Sequence, residues 1–321
     1  MAARFSTQLL AAIVLAAGIV GLASGGSSVG ATTRDSAWTA LPTLSQLEGR
    51  ISSSYKQNSL PATPDPKIGA SQIGVEANEL YGQSGCGQVG EGATDITREV
   101  PCTFGDRTAT RSVLVIGDSQ ADMWIPTFDT WGMQEHWKVY RLMKLGCTPW
   151  TDPTNWPQCN QWRAFVDKEI LKLKPSAVVA TAMEATKQTT SSSLTTKEVE
   201  SRILRFVSAI SSAHAKVFIM QSVPWFFSQG SPDMCLASYP TDISKCNHDS
   251  PRSVLAPAME KAVTLAAATG KVSALKVDQL FCTTKVCPVL VGDYNLYIDG
   301  WHFQEPWGRY IARAFSQIFH P

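Results

Sequence analysis

Three side chains in two distant segments are of the right types to act together on an ester. Ser119 follows an apolar run and the pair Gly117-Asp118, whereas Asp299 and His302 stand three residues apart near the C-terminus. A serine hydroxyl attacks a carbonyl only when a base removes its proton, and histidine is suited to that task at neutral pH. A carboxylate on the other imidazole nitrogen holds such a base in place. The residues therefore predict acyl transfer through Ser119, with His302 as base and Asp299 as orienting acid.

The residues around these side chains predict how they are positioned. The apolar run Val113–Ile116 before Gly117 is typical of a buried strand that turns sharply into a helix, with the serine at the carboxyl edge of the sheet. Asp299 and His302 can lie on one face of a single turn. Two other interpretations stay open, namely Asp299 as the N-cap of a terminal helix and His302 as a surface histidine at that helix's N-terminus.

Strand-like and helix-like segments alternate from Ser112 onward, which is typical of a parallel sheet covered by helices on both faces. The predicted strands are Ser112–Ile116, Trp137–Met143, Ala177–Ala182, Lys216–Gln221 and Val272–Val277. The predicted helices are Gln120–Trp131, Gln161–Leu173, Thr196–His214, Ser253–Thr269 and Pro306–Ile318. The loops after Gln221 and Val277 leave the same sheet edge as Ser119, so we expect them to wall the site.

The N-terminal part of the chain predicts export. Residues 1–31 combine Arg4, an apolar stretch from Leu9 to Ala23 and small residues ending at Ala31, so they indicate a signal peptide or an uncleaved N-terminal anchor. Residues 32–110 predict an extended arm with one helical patch at Leu41–Tyr55, and a disordered spacer up to Pro66 is the alternative. Residues 111–321 form the predicted catalytic domain.

Composition narrows the classes of partner and cofactor. The formal net charge is +1 and charged residues make up only 17% of the chain, which argues against nucleic acid as a partner. The eight cysteines, behind an export signal, indicate disulfides in a secreted or periplasmic protein. The sequence has no Cys-x-x-Cys and no His-Glu-x-x-His, so we expect no metal and no other cofactor.

Several stretches together resemble the SGNH (GDSL-type) hydrolases, and most closely the extracytoplasmic SGNH domains associated with membrane acyltransferases that modify bacterial envelope polysaccharides. The likeness runs from about Leu41 to the end. The stretches that carry it are Cys102–Asp106, Val113–Trp124, Lys144–Pro149, Cys159–Arg163, Cys287–Pro288 and Tyr297–His302. The resemblance implies an α/β protein with a three-layer α/β/α, flavodoxin-like fold and about five parallel strands.

The resemblance also implies roles for individual residues. Together with nearest-neighbour spacing, it favours four disulfides. These are Cys86–Cys102, Cys147–Cys159, Cys235–Cys246 and Cys282–Cys287. The family's oxyanion donors include an Asn in a Gly-x-Asn-Asp block, which this sequence lacks. The Ser119 backbone N–H is carried over from the family. The Gly146 N–H is the first candidate to replace the missing donor, ahead of the stretch Thr181–Glu184.

Substrate contacts are predicted at Trp301, whose indole suits stacking on a sugar face. A second contact is predicted at Gln120, which stands where the related domains usually have histidine. Trp124 and Trp150 are weaker candidates for stacking on a sugar. The resemblance implies a serine esterase or O-acyltransferase that acts on acyl groups, in particular acetyl groups, of an envelope glycan, with a membrane acyltransferase as acyl donor. Two alternatives stay open. One is a secreted esterase of lipids or small esters, and the other is a non-catalytic glycan-binding module on a degenerate SGNH fold.

Overall fold

The computed structural model describes residues 36–65, 67–68, 102–150, 157–182, 195–224, 231–248 and 257–321. Its strands are Cys102–Gly105 (β1), Ser112–Gly117 (β2), Lys138–Met143 (β3), Ala177–Thr181 (β4), Lys216–Met220 (β5), Ser273–Leu275 (β6), Leu290–Val291 (β7) and Tyr294–Asn295 (β8). Its α-helices are Leu44–Ser54 (α1), Ser119–Asp122 (α2), Ile125–Glu135 (α3), Pro157–Leu173 (α4), Thr196–Ala209 (α5), Pro232–Ser238 (α6), Pro257–Ala268 (α7), Glu305–Tyr310 (α8) and Ala312–Ser316 (α9).

The central sheet has six strands in the order β1-β3-β2-β4-β5-β6. The five predicted strands are all present and run parallel, which confirms the expected fold class. Strand β1 was not predicted; it pairs antiparallel with β3 at one edge and comes from the segment interpreted as an extended arm. Its four residues are too few to show a period in the sequence. The two strands β7 and β8 form a separate small hairpin.

Strand β2 lies in the middle of the sheet, and all six of its residues are buried. Val113 and Val115 join one core cluster, which also contains residues of α3 and of the C-terminal helices α8 and α9. Leu114 and Ile116 join the other cluster, together with residues of α4, α5 and α7. Because successive side chains of a strand point to opposite faces, this division shows a sheet covered by helices on both sides.

Two predicted helices are each divided in the structure. The segment predicted as one helix at Gln120–Trp131 forms α2 and α3, and Pro126 stands in the first turn of α3. Proline has no N–H and its ring clashes with the carbonyl four residues earlier, here that of Asp122, the last residue of α2. The predicted terminal helix Pro306–Ile318 forms α8 and α9 on either side of Ile311.

Helix α1 confirms the helical patch predicted at Leu41–Tyr55. Thr43 and Gln46 form a capping box at its start, and Leu47 and Ile51 are fully buried in the core. The Leu44 N–H donates to Gln317 Oε1 at 2.6 Å, which ties the helix to the C-terminus of the chain. The alternative of a disordered spacer is therefore wrong for residues 36–65. Within the described ranges, no helix is long and apolar enough to cross a membrane.

Three of the four predicted disulfides are present in the structure: Cys147–Cys159, Cys235–Cys246 and Cys282–Cys287. The two loops that carry the last two are joined to each other, since His248 and Cys287 exchange backbone hydrogen bonds of 3.0 and 2.9 Å. The fourth predicted disulfide involves Cys86, which lies outside the described residues, as does the predicted signal or anchor at residues 1–31.

A buried ion pair fastens the short helix α2 to strand β3. Arg141 Nε donates to Asp122 Oδ1 at 2.8 Å, and the two side chains are 1% and 7% exposed. Two charges removed from water are tolerated only when they remain together, because either one alone keeps its desolvation cost without a partner. The pair therefore holds the first turn after β2 in one position relative to the neighbouring strand.

We predict that Arg141→Met lowers the free energy of unfolding by about 3–5 kcal/mol, because it leaves Asp122 buried without its cation. The matched control is Lys172→Met, which removes the 3.2 Å pair to Glu169 from a lysine that is 72% exposed and should cost under about 1 kcal/mol. Urea denaturation of both variants measures the difference. Equal losses in the two variants would show that the buried pair does not stabilise α2.

Candidate active site

The turn that presents Ser119 depends on a glycine. Gly117 ends β2 with a φ of 154°, a conformation that side chains with a Cβ rarely adopt. A Cβ placed there would collide with the Thr181 carbonyl oxygen of β4 and would crowd the Ala121 side chain at 2.8 Å. Only glycine therefore allows β2 to pass so close to β4 and then turn directly into α2.

Asp118 organises the turn itself. It is the N-cap of α2, and its Oδ1 accepts a 2.9 Å hydrogen bond from the Gln120 backbone N–H. Ser119 is then the first residue of the helix and is partly exposed. As the first helical amide, its N–H has no acceptor within the helix. Ser119 thus stands at the carboxyl edge of the sheet, where open α/β sheets place ligands.

The second segment of the site is a tight loop in which Asp299 accepts three hydrogen bonds. Its Oδ1 accepts from the backbone N–H groups of Trp301 and His302, each at 2.8 Å. Its Oδ2 lies 2.8 Å from His302 Nδ1. The Ile298 N–H donates to the His302 carbonyl at 2.9 Å and closes the loop. The carboxylate therefore shapes the backbone and orients the imidazole at the same time.

This arrangement decides between the interpretations of Asp299 that the sequence left open. The terminal helix begins at Glu305 and its N-cap is Gln304, so the interpretation of Asp299 as the cap of that helix is wrong. Asp299 contacts the histidine instead. The His302 side chain is only 17% exposed, which also argues against a surface histidine.

The orientation of His302 determines which nitrogen can accept a proton. A carboxylate only accepts hydrogen bonds, so the short contact to Asp299 assigns the proton of the neutral imidazole to Nδ1. Nε2 then carries the lone pair. This atom is buried and has no hydrogen-bond partner among the residues that the structure describes. The imidazole is thus held by one nitrogen and leaves the other available as a base.

A side-chain hydrogen bond joins the two segments of the site. Gln120, directly after Ser119, donates from Nε2 to the Trp301 carbonyl oxygen at 2.9 Å, although 181 positions separate the two residues in the sequence. Trp301 directly precedes His302, so the bond brings the loop that carries His302 to the turn that carries Ser119. The sequence analysis named Gln120 as a candidate substrate contact, but no sequence pattern indicated its hydrogen bond to Trp301.

The other predicted site residues lie in different environments. Trp124 and Trp150 are 0% and 2% exposed, which makes them core residues and not sugar platforms. Trp301 is partly exposed, and its ring centroid lies 6.1 Å from that of His302. Gly146 follows β3 with a φ of 68°, in a turn where the Lys144 N–H donates to the Gly117 carbonyl at 3.1 Å. Thr181 ends β4, while Met183 and Glu184 lie outside the described residues.

Comparison with solved structures finds proteins of similar fold. The periplasmic domain of a lipopolysaccharide acetyltransferase from Salmonella ser. Paratyphi A aligns with a TM-score of 0.60 and 13% identity, covering 78% of this chain and 97% of that one. A carbohydrate acetylesterase from Sinorhizobium meliloti aligns with a TM-score of 0.42 and 13% identity, over 65% of this chain and 97% of its own. A GDSL-like lipase from Bacteroides thetaiotaomicron aligns with a TM-score of 0.40 and 12% identity, over 64% and 86%.

No curated protein matches the sequence. A family model does match it: the SGNH domain that occurs fused to AT3 domains aligns with residues 86–317, which include β1, the turn at Ser119 and the Asp299–His302 loop. The match spans well over half of the chain. The protein therefore belongs to this family of SGNH domains and is an SGNH-type hydrolase or acyltransferase.

Proposed function

We propose that the protein transfers or removes O-acyl groups, in particular acetyl groups, on a cell-envelope polysaccharide through an acyl-serine intermediate. The observation that carries the proposal is the state of His302, whose Nδ1 is held by Asp299 at 2.8 Å while Nε2 is buried without a partner among the described residues. The Gln120–Trp301 bond ties this base to the residue beside Ser119. A surface loop with no catalytic role has no need of such an arrangement.

The first half of the reaction forms the acyl-enzyme. As Ser119 Oγ attacks the ester carbonyl carbon, its proton moves to His302 Nε2, and the resulting imidazolium is stabilised by the Asp299 carboxylate. The tetrahedral intermediate collapses when the bond to the alcohol oxygen breaks. His302 returns the proton to that oxygen, and the acyl group remains on Ser119.

The second half decides between transfer and hydrolysis. The acceptor, either a sugar hydroxyl or water, gives its proton to His302 Nε2 as its oxygen attacks the acyl-serine carbonyl. Collapse of this second intermediate releases Ser119 Oγ, which takes the proton back. The same three side chains serve both reactions, so the identity of the acceptor depends on what binds beside His302.

The oxyanion of both intermediates needs backbone donors. The Ser119 N–H is the first donor in the proposal, because a first-turn amide has no acceptor within its helix. The Gly146 N–H is the proposed second donor. It lies in the turn after β3, and the Lys144 N–H of that turn donates to the carbonyl of Gly117, two residues before Ser119. These two groups would take the place of the Gly-x-Asn-Asp block that the chain lacks.

A glycan acceptor is favoured by the surroundings of the base. Trp301 is a partly exposed indole whose ring lies 6.1 Å from the His302 ring, and such a ring suits stacking on the apolar face of a sugar. The acyl donor in this proposal is a membrane acyltransferase, because the family's domains occur fused to AT3 domains. Three disulfides fit an extracytoplasmic location, where such a donor would deliver its acyl group.

We predict that Ser119→Ala and His302→Ala each lower turnover of an activated acetyl ester by about 10⁶-fold, because the nucleophile or its base is lost. Intact-mass analysis should show one acetyl group on wild-type Ser119 and none on Ser119→Ala. The control is His320→Ala, which removes an exposed histidine at the C-terminus. Normal turnover by Ser119→Ala would exclude the proposed mechanism, and binding of glycans without acylation of the wild type would favour the glycan-binding alternative.

We predict that Asp299→Asn lowers kcat by about 10⁴-fold, less than loss of the serine. The asparagine oxygen can still accept from the backbone N–H groups of Trp301 and His302, but the amide cannot stabilise an imidazolium. Steady-state kinetics with the same ester measure the effect, and Asp242→Asn, which removes an exposed carboxylate, is the control. If Asp299→Asn keeps more than half of the wild-type kcat, Asp299 only shapes the loop.

A further inference from the structure

Gln120 is fully buried between the two segments that carry the proposed catalytic residues. We propose that Gln120 is a positioning residue, whose hydrogen bond to the Trp301 carbonyl sets the distance and angle between Ser119 Oγ and His302 Nε2. This inference rests on the proposed function and deepens it, because it names the contact that assembles the site. It assigns no role in the chemical steps to Gln120 itself.

The residue is fixed at both ends. Its backbone N–H donates to Asp118 Oδ1 at 2.9 Å, which holds the main chain at the start of α2. Its side-chain Nε2 donates to the Trp301 carbonyl at 2.9 Å. Since Ser119 lies between Asp118 and Gln120, the nucleophile is held within the same bonded unit.

The bonds continue from Trp301 to the base. The peptide that begins at the Trp301 carbonyl ends at the His302 N–H, and this N–H donates to Asp299 Oδ1 at 2.8 Å. The other oxygen of the same carboxylate lies 2.8 Å from His302 Nδ1. A displacement of the Trp301 carbonyl therefore moves the peptide that carries the base, together with the carboxylate that orients it.

The side-chain amide of Gln120 is not explained by packing alone. Because the Trp301 carbonyl is an acceptor, Nε2 must face it, and Oε1 is left buried without a partner among the described residues. An unpaired buried acceptor costs stability, and an apolar side chain of similar shape would fill the same space without that cost. The geometry is therefore consistent with a residue retained for its donor.

The catalytic effect follows from the short range of proton transfer. A base must lie within about 2.6–3.2 Å of the oxygen from which it takes a proton. Misplacement of reacting groups by about 1 Å is able to lower a rate by about 100-fold. Loss of the donor at position 120 should therefore slow acylation of Ser119 while leaving the binding of small substrates unchanged.

The test uses the full-length protein and two variants that lack a donor in reach of Trp301. Gln120→Met keeps the length of the side chain without the donor, and Gln120→Asn keeps the amide but is one methylene shorter. The control is Thr127→Val, which removes another fully buried bond, from Thr127 Oγ1 to the Gly308 carbonyl at 2.8 Å; this bond also spans 181 positions. Thermal denaturation identifies which variants are folded and compares their stability.

The readouts are the rate of Ser119 labelling by a fluorophosphonate and the kcat and KM for an activated acetyl ester. Each folded Gln120 variant should label about 10–100-fold more slowly than wild type, with a similar loss in kcat and KM within about twofold. Thr127→Val should label at the wild-type rate, even if its stability falls as much as that of the Gln120 variants. That pattern supports a positioning role.

Three results would overturn the inference, and the third of them would also exclude the proposed function. Wild-type labelling rates in a folded Gln120→Met or Gln120→Asn variant would show that the bond does not position the base. Equal slowing in Thr127→Val would show that general loss of stability accounts for the effect. If the wild-type protein itself is neither labelled nor active, the proposed function fails, and the inference fails with it.

Discussion

The close approach of β2 to β4 at Gly117 is the constraint on which the rest of the site depends. The Thr181 carbonyl occupies the space that a Cβ at position 117 would need, so only glycine fits at this position. From that point the strand turns directly into α2 and Ser119 emerges at the sheet edge. Asp118 then caps the turn, and the Asp122–Arg141 pair fastens the new helix to β3. Ser119 is thus placed by packing, capping and charge pairing in succession.

The position of His302 depends on this turn through a second set of contacts. Asp299 satisfies two backbone N–H groups with one oxygen and the imidazole with the other, so loop and histidine are oriented by one group. The Gln120 amide joins that loop to helix α2. Two segments from opposite halves of the sequence are therefore linked by a directional polar contact.

Much of this architecture could be predicted from the sequence, because local sequence patterns indicate the strands and the turn. The buried parallel strands stand out as continuous apolar runs, and Gly117-Asp118-Ser119 marks the turn by residue type alone. Strand β1 was missed because four residues show no period, and its pairing with β3 is a tertiary contact. The break between α2 and α3 was missed although Pro126 signals it.

The contacts between residues far apart in the sequence could not be predicted from the sequence. The distance of 2.8 Å between His302 and Asp299 distinguishes a carboxylate that orients the histidine from a helix cap, and both interpretations fit the same Asp-x-x-His spacing. Gln120 was noted only because related domains usually have histidine there, and no local pattern links it to Trp301. Such contacts depend on how the C-terminal loop packs on the sheet edge, which residue spacing does not encode.

A crystal structure of the protein after reaction with a fluorophosphonate would show whether Ser119 and His302 act together as nucleophile and base. We expect phosphorus bonded to Ser119 Oγ, and His302 Nε2 within hydrogen-bond distance of the serine oxygen or an oxygen of the adduct. We also expect Asp299 to remain bonded to Nδ1. An adduct on another residue, or an imidazole whose Nε2 points away from Ser119, would exclude this pairing of nucleophile and base.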